Sequence, residues 1–197
     1  MRVLMACEFS GRVRDAFLAH GHDAWSCDLL PTESPGPHIQ DDVLEHLKDD
    51  WDLMIAHPPC TYLSKAGANL WAVRSREQQV ALEFVLALWS SPIARVAIEN
   101  PEGRLTQLWR PPSQRIQPFQ FGDPWTKQTC LWLRNLPPLW SSRLVKPYPS
   151  IRRRPSPAGD HPSYGAFMRA HRNRHDRSRT FAGIAEAMAE QWGVWQI

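Results

Sequence analysis

The feature that most constrains the fold is an alternation of short apolar runs with longer segments of helical periodicity. Four runs have the character of buried strands: RVLMAC at 2–7, HDAWSCDLL at 22–30, WDLMIA at 51–56 and ARVAIEN at 94–100. Helical patterns occupy 12–21 and 75–91, and the second is expected to bury Val80, Phe84 and Leu88. A short helical turn is predicted within 41–50. Such alternation predicts an α/β domain whose mostly parallel sheet carries helices on both faces.

The last third of the chain predicts a different arrangement. IQPFQFG at 116–122 and KQTCLWLRN at 127–135 have no long helix between them, which favours a terminal antiparallel hairpin. An amphipathic helix is predicted at 181–193. In mostly parallel sheets, ligands bind beyond the carboxyl ends of the strands. The groups at those ends here are Phe9-Ser10-Gly11, Asp28, Pro59-Cys60 and Glu99-Asn100. We therefore expect the functional site at this edge.

Size and cysteine usage restrict the class of protein. A chain of 197 residues with 43% hydrophobic residues suits one soluble domain with a real core. No stretch approaches the roughly 18 apolar residues of a membrane span, and the N-terminal apolar run is too short for a secretory signal. A cytosolic protein is expected. The four cysteines form no CxxC pair, so a disulfide framework or structural zinc site is not predicted.

Positive charge is concentrated in residues 141–180. This segment holds ten Lys or Arg against two Asp, a net charge of +8, whereas the whole chain carries +3, so the remainder is −5. A basic segment on a mildly acidic body favours a polyanion as partner. A solvated loop with no partner is the alternative. His161 and His171 lie in this segment, but the neighbouring arginines would repel a cation, and no metal site is predicted.

The turn after the first strand and the acid after the second favour a nucleoside ligand. Gly11 opens the first predicted helix, where backbone N–H groups can bind an anion or a nucleoside. Asp28 lies 17 residues beyond Gly11, close to the spacing of about 20 at which an acid reaches ribose hydroxyls in nucleotide-binding sheets. Asp42-Val43 is placed to face an adenine edge, although Asp41 and Asp42 would also serve to start a helix.

Cys60 is the predicted nucleophile. Cys7, Cys27 and Cys130 lie inside apparent strands and are expected to be inert small hydrophobic residues. Cys60 instead follows Pro58-Pro59, whose fixed φ angles direct the chain out of the sheet into a rigid turn. Glu99 ends the next strand, where an unpartnered buried carboxylate would be costly. A thiolate that attacks a ring, beside an acid that protonates a ring nitrogen, suits electrophilic substitution on a pyrimidine.

The ordered set FSG, CDLL, DDV, PPC and IEN resembles the DNA (cytosine-5)-methyltransferases across most of the chain. The resemblance implies a class I methyltransferase (Rossmann-like) fold, S-adenosyl-L-methionine as cofactor and cytosine in DNA as substrate. It makes Cys60 the nucleophile toward cytosine carbon 6 and Glu99 the acid that holds the ring. The implied cofactor-binding residues are Phe9, Ser10, Gly11, Asp28, Asp42, Val43 and Pro59.

The sequence departs from that family at three places. Gly11 runs into Arg12-Val13-Arg14 without further glycines. A motif with two spaced arginines falls on 123–133, which puts Lys127 at the first arginine, as a candidate catalytic cation, and Thr129 at the second. The closing helix lacks the family's Gly-Asn start.

The target-recognition region is the largest departure. The predicted catalytic domain comprises 1–136 and 179–197, and only 137–178, proline-rich and basic, remain for recognition. We expect little or no sequence specificity, because such a segment offers phosphate contacts but few rigid groups for reading bases. Tyr148, Tyr164 and Phe167 would stack on bases or anchor the segment. The predicted nucleic-acid-binding residues are Asn100, Thr129, Arg152, Arg153, Arg154, Arg172 and Arg174.

Two alternatives to a phage-like DNA methyltransferase stay open. One keeps Cys60 and Glu99 but changes the substrate to a free pyrimidine nucleotide or RNA, or changes the transferred group. The other is a nucleic-acid-binding protein that has this fold and no activity, since fold alone does not specify function.

Overall fold

The structure, a computed structural model, describes residues 1–148 and 178–194. Its strands are β1 (Arg2–Ala6), β2 (Asp23–Cys27), β3 (His38–Ile39), β4 (Leu53–Ala56), β5 (Arg95–Pro101), β6 (Gln114–Ile116) and β7 (Thr129–Arg134). Its helices are α1 (Arg12–Ala19), α2 (Ser75–Trp89), α3 (Arg104–Leu108) and α4 (Ala182–Gly193). Turns of 3₁₀ helix occupy Val43–His46, Lys65–Leu70 and Pro118–Gln120.

The seven strands form one sheet in the order β3-β2-β1-β4-β5-β7-β6. The pairs among β1 to β5 are parallel, whereas β7 runs antiparallel to both β5 and β6. The predicted fold class is therefore confirmed: a Rossmann-like, mostly parallel sheet that ends in an antiparallel pair. The order reverses at β1, which brings the carboxyl ends of β1 and β4 side by side.

Two hydrophobic layers cover the sheet, because successive side chains of a strand point to opposite faces. In β1, Val3 and Met5 pack with α1 and α4, while Leu4 and Ala6 pack against α2 and α3. Strands buried on both faces appear in the sequence as continuous apolar runs. This is why LMIA and RVAI were recognisable as strands.

The buried face of α2 agrees with the predicted one at Leu88 and Phe84 and differs from it at Val80. Val80 is 59% exposed, and the buried residues are Gln78, Leu82, Val85 and Leu88. Apolar side chains surround most of this helix, so the sequence pattern did not fix which face meets the sheet. Gln78 is buried because its amide donates a hydrogen bond to the backbone oxygen of Trp71 at 2.9 Å.

The antiparallel pair and the 41–50 segment refine two further predictions. The pairing strand is 114–116 and not 116–122, because Pro118 starts a 3₁₀ turn where the strand was expected to continue. Asp42 caps the 3₁₀ turn that follows it by accepting a hydrogen bond from the backbone N–H of Leu44 at 3.0 Å. Strand β3 and helix α3 are short, and neither was predicted from the sequence.

In the described ranges, no helix is long and apolar enough to cross a lipid bilayer.

Arg14 is a buried charge that organises the proline-rich loop after β2. Its side chain is fully buried, and the guanidinium pairs with Asp15 at 2.7 Å. It also donates hydrogen bonds to Ser26 Oγ at 3.2 Å, Thr32 Oγ1 at 3.1 Å and the backbone oxygen of Ser34 at 2.9 Å. Arg14 thus fixes the loop over α1.

We expect Arg14→Ala to lower the free energy of unfolding by about 3 kcal/mol, because it leaves buried acceptors without a donor and opens a cavity. Urea unfolding followed by circular dichroism measures this change. Arg76→Ala, on the exposed surface of α2, is the control and should change stability by less than about 0.5 kcal/mol. Equal stability of the two variants would contradict the assigned role of Arg14.

Candidate functional site

The strand register brings the predicted site residues to one edge of the sheet. Ala6 at the end of β1 pairs with Cys27 of β2 and with Ala56 of β4, and Ala56 pairs with Ile98 of β5. The next residue on each strand, namely Cys7, Asp28, His57 and Glu99, therefore lies at the same carboxyl edge.

Cys60 lies in an exposed turn just past the end of β4, as predicted from the two prolines before it. Its backbone oxygen accepts hydrogen bonds from the N–H groups of Leu63 at 3.0 Å and Ser64 at 2.9 Å, which close the turn. The buried amide of Asn100 donates to the backbone oxygen of Pro58 at 2.8 Å. The turn that carries the thiol is thus attached directly to the strand that carries Glu99.

A close backbone contact holds the far end of this turn. The N–H of Arg104 donates to the backbone oxygen of Leu63 at 2.7 Å, and Ser64 forms an isolated antiparallel bridge with Gly103. A Cβ atom on Gly103 would lie 1.9 Å from the Leu63 oxygen. Only glycine permits this approach, so Gly103 sets the position of the Cys60 turn against the end of β5.

Gly103→Ala should therefore displace the Cys60 turn and destabilise the protein by several kcal/mol, more than the roughly 1 kcal/mol cost of an ordinary glycine replacement. Thermal unfolding and the rate at which Cys60 reacts with a thiol reagent measure the two effects. Gly21→Ala is the control, because Gly21 has a positive φ of 81° but no atom within 4 Å of the added Cβ. Equal effects at the two glycines would show that the contact at Gly103 does not matter.

Glu99 lies between His57 and Thr129 on one face of the sheet. Each of these three residues is two positions from a buried residue on its own strand, namely Ile55, Ala97 and Leu131, which belong to one core layer. Side chains two positions apart point to the same face of a sheet, so all three point to the face that carries this layer. His57 Nδ1 lies 3.2 Å from Glu99 Oε2, and the side chains are 8% and 17% exposed. The Thr129 hydroxyl lies close enough to lower the pKa of the Glu99 carboxyl, and it donates to the backbone oxygen of Lys127 at 3.3 Å.

The ionisation of Glu99 is set by these partners. Burial raises the pKa of Glu99, but the hydrogen bond and charge of His57, the charge of Lys127 and the Thr129 hydroxyl together outweigh it. The net result is a pKa below the ordinary value, so the group is a carboxylate at neutral pH.

A narrow cleft opens beside Glu99. The strand side of the cleft is formed by Glu99, Lys127 and Thr129, and the opposite side by Ser178, Arg179, Thr180, Phe181 and Ile184. The ammonium of Lys127 lies 5.6 Å from the centre of the Phe181 ring. Lys127 thus lines the same cleft as Glu99.

Residues 178–181 cross the carboxyl edge of the sheet before α4 begins. Arg179 forms two parallel hydrogen bonds with the Glu33 carboxylate at 2.7 and 2.8 Å. Arg12 donates to the backbone oxygen of Thr180 at 3.0 Å. The segment therefore connects the start of α1, where a cofactor was predicted, to the cleft beside Glu99.

The start of α1 differs from the prediction. Gly11 has the expected left-handed conformation, with φ 72°, but the buried carboxylate of Glu8 accepts hydrogen bonds from the N–H groups of Val13 at 2.8 Å and Arg14 at 3.2 Å. It also accepts from Ser10 Oγ at 3.1 Å. An internal acid thus occupies the helix N-terminus where a ligand anion was expected. Phe9 and Gly11 remain at the edge as candidate walls of a cofactor site.

Asp28 follows β2 and Asp42 follows β3, and the charges of both act on the Cys7 thiol. Burial raises the pKa of Cys7, and the charges of Asp28, Cys27 and Asp42 raise it further. Asp28 also accepts a hydrogen bond from the N–H of Leu30 at 2.9 Å. Val43, predicted to face an adenine edge, is instead a buried core residue, because its side chain packs against the apolar layer beneath the 3₁₀ turn.

Two predicted DNA contacts are inside the protein. Asn100 and Thr129 are 1% and 3% exposed, and their side chains donate to the backbone oxygens of Pro58 and Lys127. Their positions do not match a role on a DNA-binding surface. Tyr148 packs edge-on against Trp125, with ring centres 4.9 Å apart, as an anchor would. The remaining predicted contacts lie outside the described residues: Arg152, Arg153, Arg154, Arg172 and Arg174, with Tyr164 and Phe167.

The other three cysteines are less accessible than Cys60. Cys27 and Cys130 are buried in strands, and burial raises their pKa values to about 11 and about 12. Cys7 corrects the prediction that it lies within a strand, because β1 ends at Ala6 and Cys7 has a positive φ of 58°. Within 1–148 and 178–194, no group of three or more His, Cys, Asp or Glu side chains is arranged to hold a metal ion.

No protein-family model and no curated protein matches the chain. One similar solved structure is the crystal structure of a proposed DNA modification methyltransferase encoded within a prophage of E. coli. The two chains are 14% identical, with a TM-score of 0.45, and the match covers 68% of this chain and 46% of that one. This chain thus matches about half the length of that protein. A likeness this distant does not bear on the activity.

Sequence reasoning missed three residues of this edge: Glu8, His57 and Gly103. His57 immediately precedes the Pro-Pro-Cys turn, so its closeness in sequence to Cys60 was a signal that could have identified it. The sequence held no such signal for Glu8 or Gly103. Their roles depend on N–H groups and on a backbone carbonyl that other segments supply.

Proposed function

We propose that this protein transfers a methyl group from S-adenosyl-L-methionine to carbon 5 of cytosine in DNA, with Cys60 as the nucleophile. The observation that supports it most is the exposed Cys60 thiol on a turn tied by Asn100 to the strand that carries Glu99. A nucleophile needs access and a fixed position, and this turn provides both.

Cys60 would act by addition to carbon 6 of the pyrimidine. As the S–C6 bond forms, the electron pair of the C5–C6 double bond moves into the ring and a proton is taken up at nitrogen 3. Carbon 5 thereby becomes nucleophilic. After carbon 5 has gained the methyl group, its proton is lost to a base or to water, which expels the thiolate and restores the C5–C6 double bond, and nitrogen 3 releases the proton that it took up. The thiol ends as it began, so Cys60 is a catalyst.

Glu99 would hold the ring during these steps. Its carboxylate can accept a hydrogen bond from the exocyclic amine of cytosine, and in its protonated form it can donate to nitrogen 3. Lys127, on the same side of the cleft, would stabilise negative charge on the incoming substrate or on the thiolate.

The carboxyl edge of β1 and β2 offers a site that fits the cofactor in part. Asp28 is a partly exposed carboxyl at the end of β2, where a ribose hydroxyl is usually bound, and Asp42 lies nearby. Phe9, Gly11 and Pro59 would complete the walls. The amides of Val13 and Arg14 are already used by Glu8, so the cofactor's carboxylate must be held elsewhere. Bound there, the cofactor would supply an electrophilic methyl group.

DNA is the proposed substrate because residues 141–180 carry a net charge of +8. A base in a duplex must leave the stack to reach Cys60, whereas single-stranded DNA avoids that cost. The same chemistry on RNA or on a free nucleotide is the second candidate, since the segment available for recognition is short.

Nucleoside mass spectrometry tests the proposal. DNA, RNA and the nucleotide pool from cells that express the wild-type protein would be digested and compared with those from cells that express Cys60→Ala. We expect 5-methylcytosine to rise in the DNA of wild-type cells alone. A rise confined to RNA or to nucleotides would favour the second candidate. No modified pyrimidine in any fraction would contradict both.

A further inference from the structure

His57 forms a buried pair with Glu99 that the chemistry described so far does not use. Its Nδ1 lies 3.2 Å from Glu99 Oε2, and its side chain is more than nine-tenths buried. Because a carboxylate only accepts hydrogen bonds, Nδ1 must carry a hydrogen when Glu99 is ionised. The second ring nitrogen, Nε2, is buried and has no hydrogen-bond partner in the described part of the chain.

The proposed reaction needs a proton beside the substrate, and Glu99 alone supplies it poorly. Attack by Cys60 on carbon 6 requires that nitrogen 3 take up a proton as charge moves into the ring. The partners of Glu99 hold its pKa below the ordinary value, so the protonated acid is scarce near neutral pH. A group that stores a proton in contact with Glu99 would remove this difficulty.

We propose that His57 is that store, and that His57 and Glu99 act as one proton-donating pair toward the substrate ring. This inference rests on the proposed function. In the loaded pair, both ring nitrogens of His57 carry hydrogen and Glu99 is a carboxylate. As the S–C6 bond forms, the Nδ1 proton passes to Glu99 and from Glu99 to nitrogen 3, which leaves a neutral imidazole. When the thiolate leaves, the proton returns by the same route.

The transfer starts and ends at Nδ1, so Nε2 keeps its hydrogen throughout and takes no part in the transfer. His57 acts through Glu99 and does not touch the substrate. It is therefore a positioning residue that also carries a proton.

The charged groups beside the pair favour the ionised form of Glu99. The charge of Lys127, before β7, lowers the pKa of Glu99, and Arg179, before α4, lines the same cleft. The Cys130 thiol of β7 also interacts electrostatically with Glu99.

His57→Asn separates positioning from proton storage. The asparagine amide places an N–H donor where Nδ1 lies, so it can still orient Glu99, but it does not titrate. We expect the single-turnover rate of methyl transfer at pH 7.5 to fall roughly 100-fold. The high-pH limb of the rate profile should also move to lower pH by at least about one unit, because the proton must then come from Glu99 alone.

His57→Ala provides a second test if the asparagine variant folds poorly, since its activity should recover in part on addition of imidazole. Circular dichroism checks the fold of both variants. A wild-type rate and pH profile for His57→Asn, or no rescue of a folded His57→Ala, would overturn the inference alone. Absence of methyl transfer by the wild-type enzyme at every pH would overturn the proposed function and this inference with it.

Discussion

Cys60→Ala is expected to abolish methyl transfer while leaving the fold intact. The thiol is exposed at the end of β4, so its removal opens no cavity and should change the free energy of unfolding by less than about 0.5 kcal/mol. The turn is held by backbone hydrogen bonds and by Asn100, none of which involves the sulfur atom. Incorporation of labelled methyl groups into DNA measures the loss.

Thr61→Ala is the matched control for this variant. Thr61 is the next exposed residue of the same turn, and its replacement should leave methyl transfer within about twofold of wild type, as expected for an ordinary surface substitution. Turnover by Cys60→Ala at the wild-type rate would exclude thiol catalysis. Equal loss in both variants would indicate a damaged turn, which thermal unfolding would reveal.

Glu99→Gln should lower the methyl-transfer rate by roughly 10² to 10⁴, the usual contribution of a positioned acid or base. The amide keeps an oxygen that can accept from His57, so the geometry is preserved while the ionisable group is lost. Glu102→Gln is the matched control, because Glu102 binds Arg115 and Gln128 at 2.9 and 3.0 Å outside the cleft. Its activity should stay near that of wild type.

The acid stability of Glu99→Gln provides an independent measurement. The partners of Glu99 lower its pKa in the folded protein, so the stabilisation it contributes is complete above the ordinary glutamate pKa of about 4.3 and is lost as pH falls through the lower folded value. The difference in unfolding free energy between wild type and Glu99→Gln should therefore shrink below about pH 4. A difference that stays constant with pH would show that Glu99 is not held ionised.

The sheet was predictable because its strands are short apolar runs buried on both faces, a pattern that depends only on local sequence. The exposed position of Cys60 was predictable for the same reason, since Pro58 and Pro59 restrict the backbone locally. The exposure of Val80 on α2 was not, because Val80 and Leu82 are equally apolar and only the tertiary contact selects between them.

The partners of the site residues required the tertiary structure. His57 and Glu99 are 42 positions apart, and their contact follows from the pairing of β4 with β5 and from which face each side chain takes. The role of Glu8 at the start of α1 could not be predicted, because the sequence does not show that its carboxylate accepts hydrogen bonds from the N–H groups of Val13 and Arg14.

Covalent capture on a mechanism-based substrate tests the central claim most directly. The protein would be incubated with S-adenosyl-L-methionine and DNA that contains 5-fluorocytosine, whose fluorine cannot leave as a proton does, and then digested for peptide mass spectrometry. The predicted result is a stable adduct on the peptide that contains Cys60, with no adduct in Cys60→Ala. An adduct on another cysteine, or none on either duplex or single-stranded DNA, would contradict the account.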